Sequence, residues 1–212
     1  MEDIQQLLIP NNDVQLEAEY FPAKSGTIRP CTLICHPHPQ FGGDMYNNVV
    51  SYIFKTLIDH NLATLRFNFR GVGKSTGSHT GGQGEISDVI ACIDFLINNL
   101  NIDSILIYGY SYGAAIGCSA VNYSNKINGF VAISFPWDFM GNKYKKNAQT
   151  NKPKLFIQGN KDNIAHYSKF LEHYDDYDNP KEYKIIDGAD HFYWGYEKQV
   201  AELVYQFYTN LY

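Results

Sequence analysis

Ile105-Leu106-Ile107-Tyr108-Gly109-Tyr110-Ser111-Tyr112-Gly113-Ala114 is the stretch that decides the fold. A short apolar run leads into Gly-x-Ser-x-Gly, and small residues continue from Ala114 to Ala120 as a helix would. Strand, Gly-x-Ser-x-Gly, helix is the pattern of a nucleophile elbow. Its turn is so tight that the serine backbone is strained and the hydroxyl is pushed outward. Glycine is needed two residues before and two after, because a Cβ at either place would strike neighbouring backbone. With 17 Gly in 212 residues the five-residue pattern alone is weak evidence, so the flanking strand and helix carry the identification. The alternative is an ordinary serine in a glycine-rich strand-to-helix turn.

Working outward, apolar runs and helical periodicities alternate along the chain. That alternation predicts an α/β fold, a parallel sheet with helices on both faces. Strands are expected over 14–23 (one or two edge strands), 32–36, 62–69, 104–108, 129–135 (ended by Pro136), 155–158 and 183–186. Helices are expected over 47–60, with Val49, Ile53, Leu57 and Ile58 on one face, and over 85–100, with Ile86, Val89, Ile90 and Ile93. Two more are expected over 165–174 and 195–211. No linker, repeat or low-complexity tract interrupts the pattern, so residues 1–212 are expected to form one domain.

Composition narrows the partners. The 17 Lys and Arg against 22 Asp and Glu give a net charge of −5, without the basic stripe that nucleic acid requires. No apolar run is long enough for a membrane span. The start, Met1-Glu2-Asp3-Ile4-Gln5-Gln6, is acidic and polar, unlike a signal peptide. Cys31, Cys35, Cys92 and Cys118 have neither metal nor redox spacing and read as buried reduced thiols. A cytoplasmic location is expected. Aromatic residues make up 15% of the chain, enough to line a pocket or interface as well as a core.

A serine hydroxyl needs a base within hydrogen-bond reach, and the base needs an orienting acid. In this architecture they follow in the order Ser, Asp or Glu, His, each after a strand. Asp162 follows the strand over 155–158 within Gly159-Asn160-Lys161-Asp162, and His191 follows the last strand within Gly188-Ala189-Asp190-His191. Asp138, just beyond Phe135-Pro136-Trp137, is a competing acid; Asp190 is disfavoured because neighbouring side chains on one loop rarely converge. The glycine-containing turn before Asp162 favours Asp162. For the oxyanion, the backbone N–H of Tyr112 is one expected donor. The second is expected from the loop over 36–45, where Pro39 has no N–H and Gln40 is first choice. His36 and His38 resemble a metal pair but lack a third ligand, so no metal and no cofactor are expected. Phe41, Phe135, Trp137 and Phe192 are the expected substrate-pocket residues, and 135–151, with Trp137, Phe139 and Tyr144, the only segment that could cover the site. The stretch Asn68-Phe69-Arg70-Gly71-Val72-Gly73-Lys74-Ser75 ends like a phosphate-binding loop. It has Asn68 where that motif needs glycine and no helix after Ser75.

With these residues in view, the chain resembles the small, cap-less α/β-hydrolases, related to dienelactone hydrolases, that carry a His-Pro-His-Pro…Gly-Gly loop. The matching segments are 36–47, 66–75, Gly84-Glu85 with Asp88, 109–113, 159–162 and 188–192. The resemblance implies an eight-stranded, mostly parallel sheet without a large lid domain, and serine-hydrolase chemistry. Arg70 and Glu85 fall at matching positions and are expected to form a buried ion pair. The expected function is cleavage of small-molecule carboxylic esters or thioesters by Ser111, His191 and Asp162. A peptidase or amidase on the same residues and a non-catalytic interaction protein are the rivals. No feature specifies an oligomer.

Overall fold

In the computed structural model, which describes residues 4–23 and 30–212, the strands are β1 (Gln5–Asn11), β2 (Val14–Phe21), β3 (Cys31–Cys35), β4 (Thr64–Phe67), β5 (Ile105–Tyr110), β6 (Ile127–Ile133), β7 (Lys154–Gly159) and β8 (Lys181–Ile186). The helices are α1 (Asn48–Asp59), α2 (Gln83–Asn98), α3 (Tyr112–Cys118), α4 (Trp137–Met140), α5 (Asn142–Asn147), α6 (Phe170–Asp175) and α7 (Glu197–Leu211). The acidic start, residues 1–3, lies outside the described residues. One eight-stranded sheet runs β1-β2-β4-β3-β5-β6-β7-β8. β2 pairs antiparallel with β1 and β4, and every other neighbouring pair is parallel. β5 therefore sits near the middle, while β8 is an edge strand held, among the described residues, only by β7. No helix among the described residues is long and apolar enough to cross a membrane.

The strand period of two builds both cores. β5 sends Ile105 and Ile107 to one side, where they pack with α2 and α3, and Leu106, Tyr108 and Tyr110 to the other, against α1 and α7. Each fully buried Val, Leu or Ile side chain contributes about 1.5–3 kcal/mol relative to exposure. α1 starts where the Asn47 side chain accepts from the Val49 N–H at 3.1 Å, one residue inside the expected span.

β1 was not expected. Only Ile9 and Asn11 of its seven residues are buried, and Pro10 fits an edge strand that can spare an N–H, so its apolar signal is faint. Asn12, with φ 54°, turns it into β2. β4 is shorter than 62–69: the Asn68 N–H still reaches the Glu17 carbonyl (2.8 Å), but the Phe69 N–H turns to His36 (3.0 Å), and the Asn68 side chain accepts from the Met45 N–H and donates to Glu17 (both 2.8 Å). The helix expected over 165–174 shortens to α6, preceded by a 3₁₀ turn over Tyr167–Lys169. The phosphate-loop look-alike is docked on β2. Ser75 donates to the Asn68 carbonyl (2.7 Å) and accepts from the Glu17 N–H (2.9 Å), and the next helix begins only at Gln83.

The expected Arg70–Glu85 pair is corrected. Arg70 pairs with Asp88 instead (2.7 Å), a carboxylate that also accepts from Asn11 (2.8 Å). Glu85 turns back over the start of α2. It accepts from the N–H groups of Thr80 (2.8 Å) and Gly82 (2.7 Å) and from the Thr80 hydroxyl (2.9 Å). Burial alone would raise the Glu85 carboxyl; those bonds reverse it and hold the group below its ordinary value. A second buried pair, Arg66–Glu19 (2.6 Å), joins β4 to β2.

His36, at the end of β3, is fully buried. Its Nδ1 lies 2.7 Å from the Pro37 carbonyl and its Nε2 accepts from the Phe69 N–H at 3.0 Å, a pattern only the neutral ring satisfies. Burial pushes its pKa down to about 3, from 6.5 in a free side chain. The unfolded chain thus binds a proton that the folded state refuses between those values. The stabilisation is complete above about pH 6.5 and is lost toward pH 3, by up to ~1.4 kcal/mol per pH unit. His36→Gln keeps an acceptor for Phe69 and does not titrate. Melting temperature against pH should therefore fall less steeply in this variant than in the wild type over that window. Equal slopes in two folded proteins would contradict the assignment.

Candidate active site

Ser111 follows the last residue of β5 with φ 55° and ψ −119°, a conformation that costs a non-glycine residue about 1–3 kcal/mol. Its surroundings impose it. The Ser111 N–H donates to the Ile133 carbonyl of β6 at 2.8 Å, and its own carbonyl accepts from Ala114 at 2.9 Å as α3 begins. A Cβ on Gly109 would land on the Gly113 carbonyl, and one on Gly113 on the Cys35 carbonyl of β3.

Two other loops meet this serine. Asp162 stands on the turn after β7 and His191 on the turn after β8, and the two turns are laced together. Lys161 N–H donates to the Ala189 carbonyl (2.9 Å), and Asn160 bridges to Asp187 (2.6 Å) and the Gly188 N–H (2.8 Å). Ser111 Oγ lies 2.8 Å from His191 Nε2, and His191 Nδ1 lies 2.8 Å from Asp162 Oδ2. Asp162 Oδ1 accepts from the N–H groups of Ile164 (2.9 Å) and Ala165 (2.8 Å). Burial would raise the Asp162 carboxyl, but the bond and charge of His191, with those from Ser134 and Ile164, hold it below its ordinary value. Carboxylates accept only, so His191 carries its proton on Nδ1 and presents a lone pair to the serine. Such a line can draw a proton from a hydroxyl as that hydroxyl attacks. The competing carboxylates are elsewhere: Asp138 faces Lys169 (3.2 Å) and His173 (3.5 Å), and Asp190 accepts from the Phe192 N–H (2.9 Å).

The 36–45 loop forms the opposite wall. A 3₁₀ turn, Pro39–Phe41, starts there with His38 as its cap. This corrects the choice of Gln40: its N–H is turned to His38 Nδ1 at 3.2 Å, and Gln40 does not line the cleft. Tyr112 N–H, next to the serine, has no partner among the described residues, and neither has the N–H of His38, which lines the cleft and packs on the Tyr112 ring with centroids 4.6 Å apart. No group of three or more His, Cys, Asp or Glu among the described residues could hold a metal ion.

The cleft above Ser111 has a volume of about 540 Å³. Phe41 and Phe192, both exposed, line it. Phe135 and Trp137 do not line it; they stack on each other in the core (centroids 5.0 Å), and Pro136 between them faces the cleft. Phe139 and Ile164 face the cleft in their place. Tyr110, Ser134 and Tyr193 are further polar neighbours that sequence reading missed. Tyr110 donates to the His191 carbonyl (2.6 Å), Ser134 donates to Asp162 Oδ2 (2.7 Å), and Tyr193 lies 2.7 Å from Ser134. Only position could have signalled them, Ser134 at a strand end and Tyr193 two residues after His191.

Because the Gly113 Cα faces the Cys35 carbonyl, Gly113→Ala must push α3 off β3. We expect a loss of about 1–3 kcal/mol in chemical denaturation, as in other overpacked cores. An unchanged midpoint would show that the elbow has slack.

Comparison with known proteins agrees with the fold. Residues 32–203 match the family model described as alpha/beta hydrolase domain. An uncharacterized protein of Rickettsia prowazekii (strain Madrid E) is 37% identical over 196 residues, 89% of this chain and 82% of its own. An alpha-beta serine hydrolase homologue from Coxiella burnetii superposes with a TM-score of 0.86 at 32% identity, over 98% of this chain and 97% of that one. A protein of Xanthomonas campestris, described as an a/b serine hydrolase without lid, superposes with a TM-score of 0.85 at 23% identity, over 100% and 96% of the two chains. At that identity the likeness is one of fold; among the described residues of 135–151, Pro136 and Phe139 are those that reach the cleft. With a family model spanning most of its length, the chain belongs to the alpha/beta hydrolase domain family.

Proposed function

We propose that the protein is a serine hydrolase acting on small carboxylic esters or thioesters through an acyl-enzyme. The observation that carries this is the unbroken line from Ser111 Oγ through His191 to Asp162, with both contacts at 2.8 Å, on the floor of an open cleft. Ser111 attacks the substrate carbonyl while His191 Nε2 takes its proton. The charge that develops on the carbonyl oxygen is held by the N–H groups of Tyr112 and His38; one such donor is worth about 10²–10³ in kcat. His191 then hands the proton to the leaving oxygen or sulfur. Water, deprotonated by the same histidine, releases the acid. Asp162 keeps the histidine in the productive tautomer.

The cleft supports the substrate class. Apart from His38 and His191, no Asp, Glu, Lys, Arg, His or Cys lines it, and Phe41, Phe139, Ile164 and Phe192 make its walls apolar. Uncharged acyl groups of modest size fit such a surface, within the volumes usual for small-molecule sites. The His-Pro-His-Pro…Gly-Gly loop favours a place beside the dienelactone-hydrolase-like enzymes, acting in the cytoplasm.

Ser111→Ala should abolish labelling by a fluorophosphonate and lower turnover on the order of 10⁴-fold or more, with the fold intact by circular dichroism. Wild-type labelling of the variant would remove Ser111 from the mechanism. With one ester substrate, Asp162→Asn should cost several orders of magnitude in kcat, whereas Asp138→Asn should cost little. The reverse ranking would move the acid to Asp138. Matched ester and amide substrates separate the esterase from an amidase, and an unlabelled wild type would indicate an interaction protein.

A further inference from the structure

The carboxylate of Asp162 is engaged from a side that the reaction does not use. Ser134, the residue after β6, places its hydroxyl 2.7 Å from Asp162 Oδ2, the same oxygen that receives His191 Nδ1. Behind it, the Tyr193 hydroxyl lies 2.7 Å from Ser134 Oγ. Ser134 and Tyr193 are both wholly buried. Both also sit in the left-handed region, with φ 47° and 55°, where serine and tyrosine are strained. Strain kept at two buried residues that meet each other and the site calls for a compensating interaction.

Proton counting fixes the direction of this chain. A carboxylate only accepts, so the Ser134 proton points at Asp162. With that proton committed, Tyr193 must donate to Ser134. Burial holds the Tyr193 phenol well above its ordinary value, so the proton stays there. The order is then Tyr193 O–H to Ser134 O–H to Asp162, with His191 N–H arriving from the other side. Asp162 Oδ1 is meanwhile occupied by two backbone N–H groups. All four acceptor directions are filled, so the carboxylate can neither rotate nor offer His191 a different oxygen.

We infer that Ser134 and Tyr193 are positioning residues that act through Asp162, orienting its carboxylate and tempering its basicity toward His191. The inference rests on the serine-hydrolase reading. Other polar or titratable groups beside the chain are Tyr110, which donates to the His191 carbonyl, and Asp190, whose charge bears on both tyrosines.

The test uses Tyr193→Phe and Ser134→Ala in the full chain. Tyr193→Phe is nearly isosteric and keeps the ring packing, so it decides the matter should Ser134→Ala fail to fold. Losing a donor to the carboxylate strengthens its pull on the imidazolium. The acid limb of kcat/KM should therefore move to higher pH, further in Ser134→Ala than in Tyr193→Phe. At neutral pH, kcat should fall about 10–100-fold in Ser134→Ala, the usual worth of a hydrogen bond to a charged group, and about 3–10-fold in Tyr193→Phe, with KM unchanged in both. Independently of turnover, the downfield proton resonance of His191 Nδ1–H should shift in both variants. Folded variants with wild-type kcat, limb and resonance would overturn the inference. So would activity lost only in proportion to folded protein at an unmoved limb. Shifted resonances in a protein that hydrolyses nothing would instead leave the positioning intact and remove the hydrolase reading.

Discussion

A serine forced into the left-handed region at the end of the central strand is the constraint on which the rest of the molecule turns. β5 can deliver Ser111 there only because Gly109 and Gly113 let α3 fold back against the strand, and Gly113 in turn abuts β3. The Ser111 N–H is spent on β6. One residue thereby locks three neighbouring strands and the start of a helix. Parallel strands end on the same edge of a sheet, so the loops after β3, β5, β6, β7 and β8 all converge around that residue. What the convergence leaves to be solved is precision, and the laced turns after β7 and β8 supply it.

Much of this was legible in the residues. The alternation of apolar runs and helical stripes predicts the parallel part of the sheet, because central strands are buried on both faces and read as continuous apolar segments. Chain order and the strand-end positions of Ser111, Asp162 and His191 single out three side chains that the structure brings into hydrogen-bond contact. The misses share a cause. β1 is an edge strand whose exposed residues dilute its pattern. Gln40 follows from asking which residue has an N–H, whereas the answer depends on where His38 turns its ring. Phe135 and Trp137 look like pocket residues because aromatics fit pockets and cores equally well, and only the fold chooses between them. Glu85 is buried and Arg70 half-buried, but pairing is a matter of which carboxylate lies within reach, and Asp88, one helical turn from Glu85, lies closer.

The buried polar groups follow a common plan. Arg66–Glu19, Arg70–Asp88 and His36 each tie a loop or strand end to an element distant in sequence, and Glu85 fixes the loop just before its own helix. Such groups add little net stability over an apolar replacement, yet removing one partner leaves a costly orphan. Their contribution is to allow one arrangement of the loops and penalise the others. The loops on the β3 and β4 side of the cleft are thereby fixed by buried polar contacts of their own.

The position of β8 gives the molecule an uneven durability. Ser111 hangs from the centre of the sheet, but His191 hangs from its edge, beyond a strand whose outer side pairs with no other among the described residues and whose Tyr183 is 42% exposed. Local opening begins where backbone bonds are few and solvated. A brief peeling of β8 would carry the imidazole away while the core beneath β5 stays closed, so the amides of β8 should exchange hydrogen before those of β5. Warming or mild denaturant should then part His191 from Ser111 before the sheet itself comes apart.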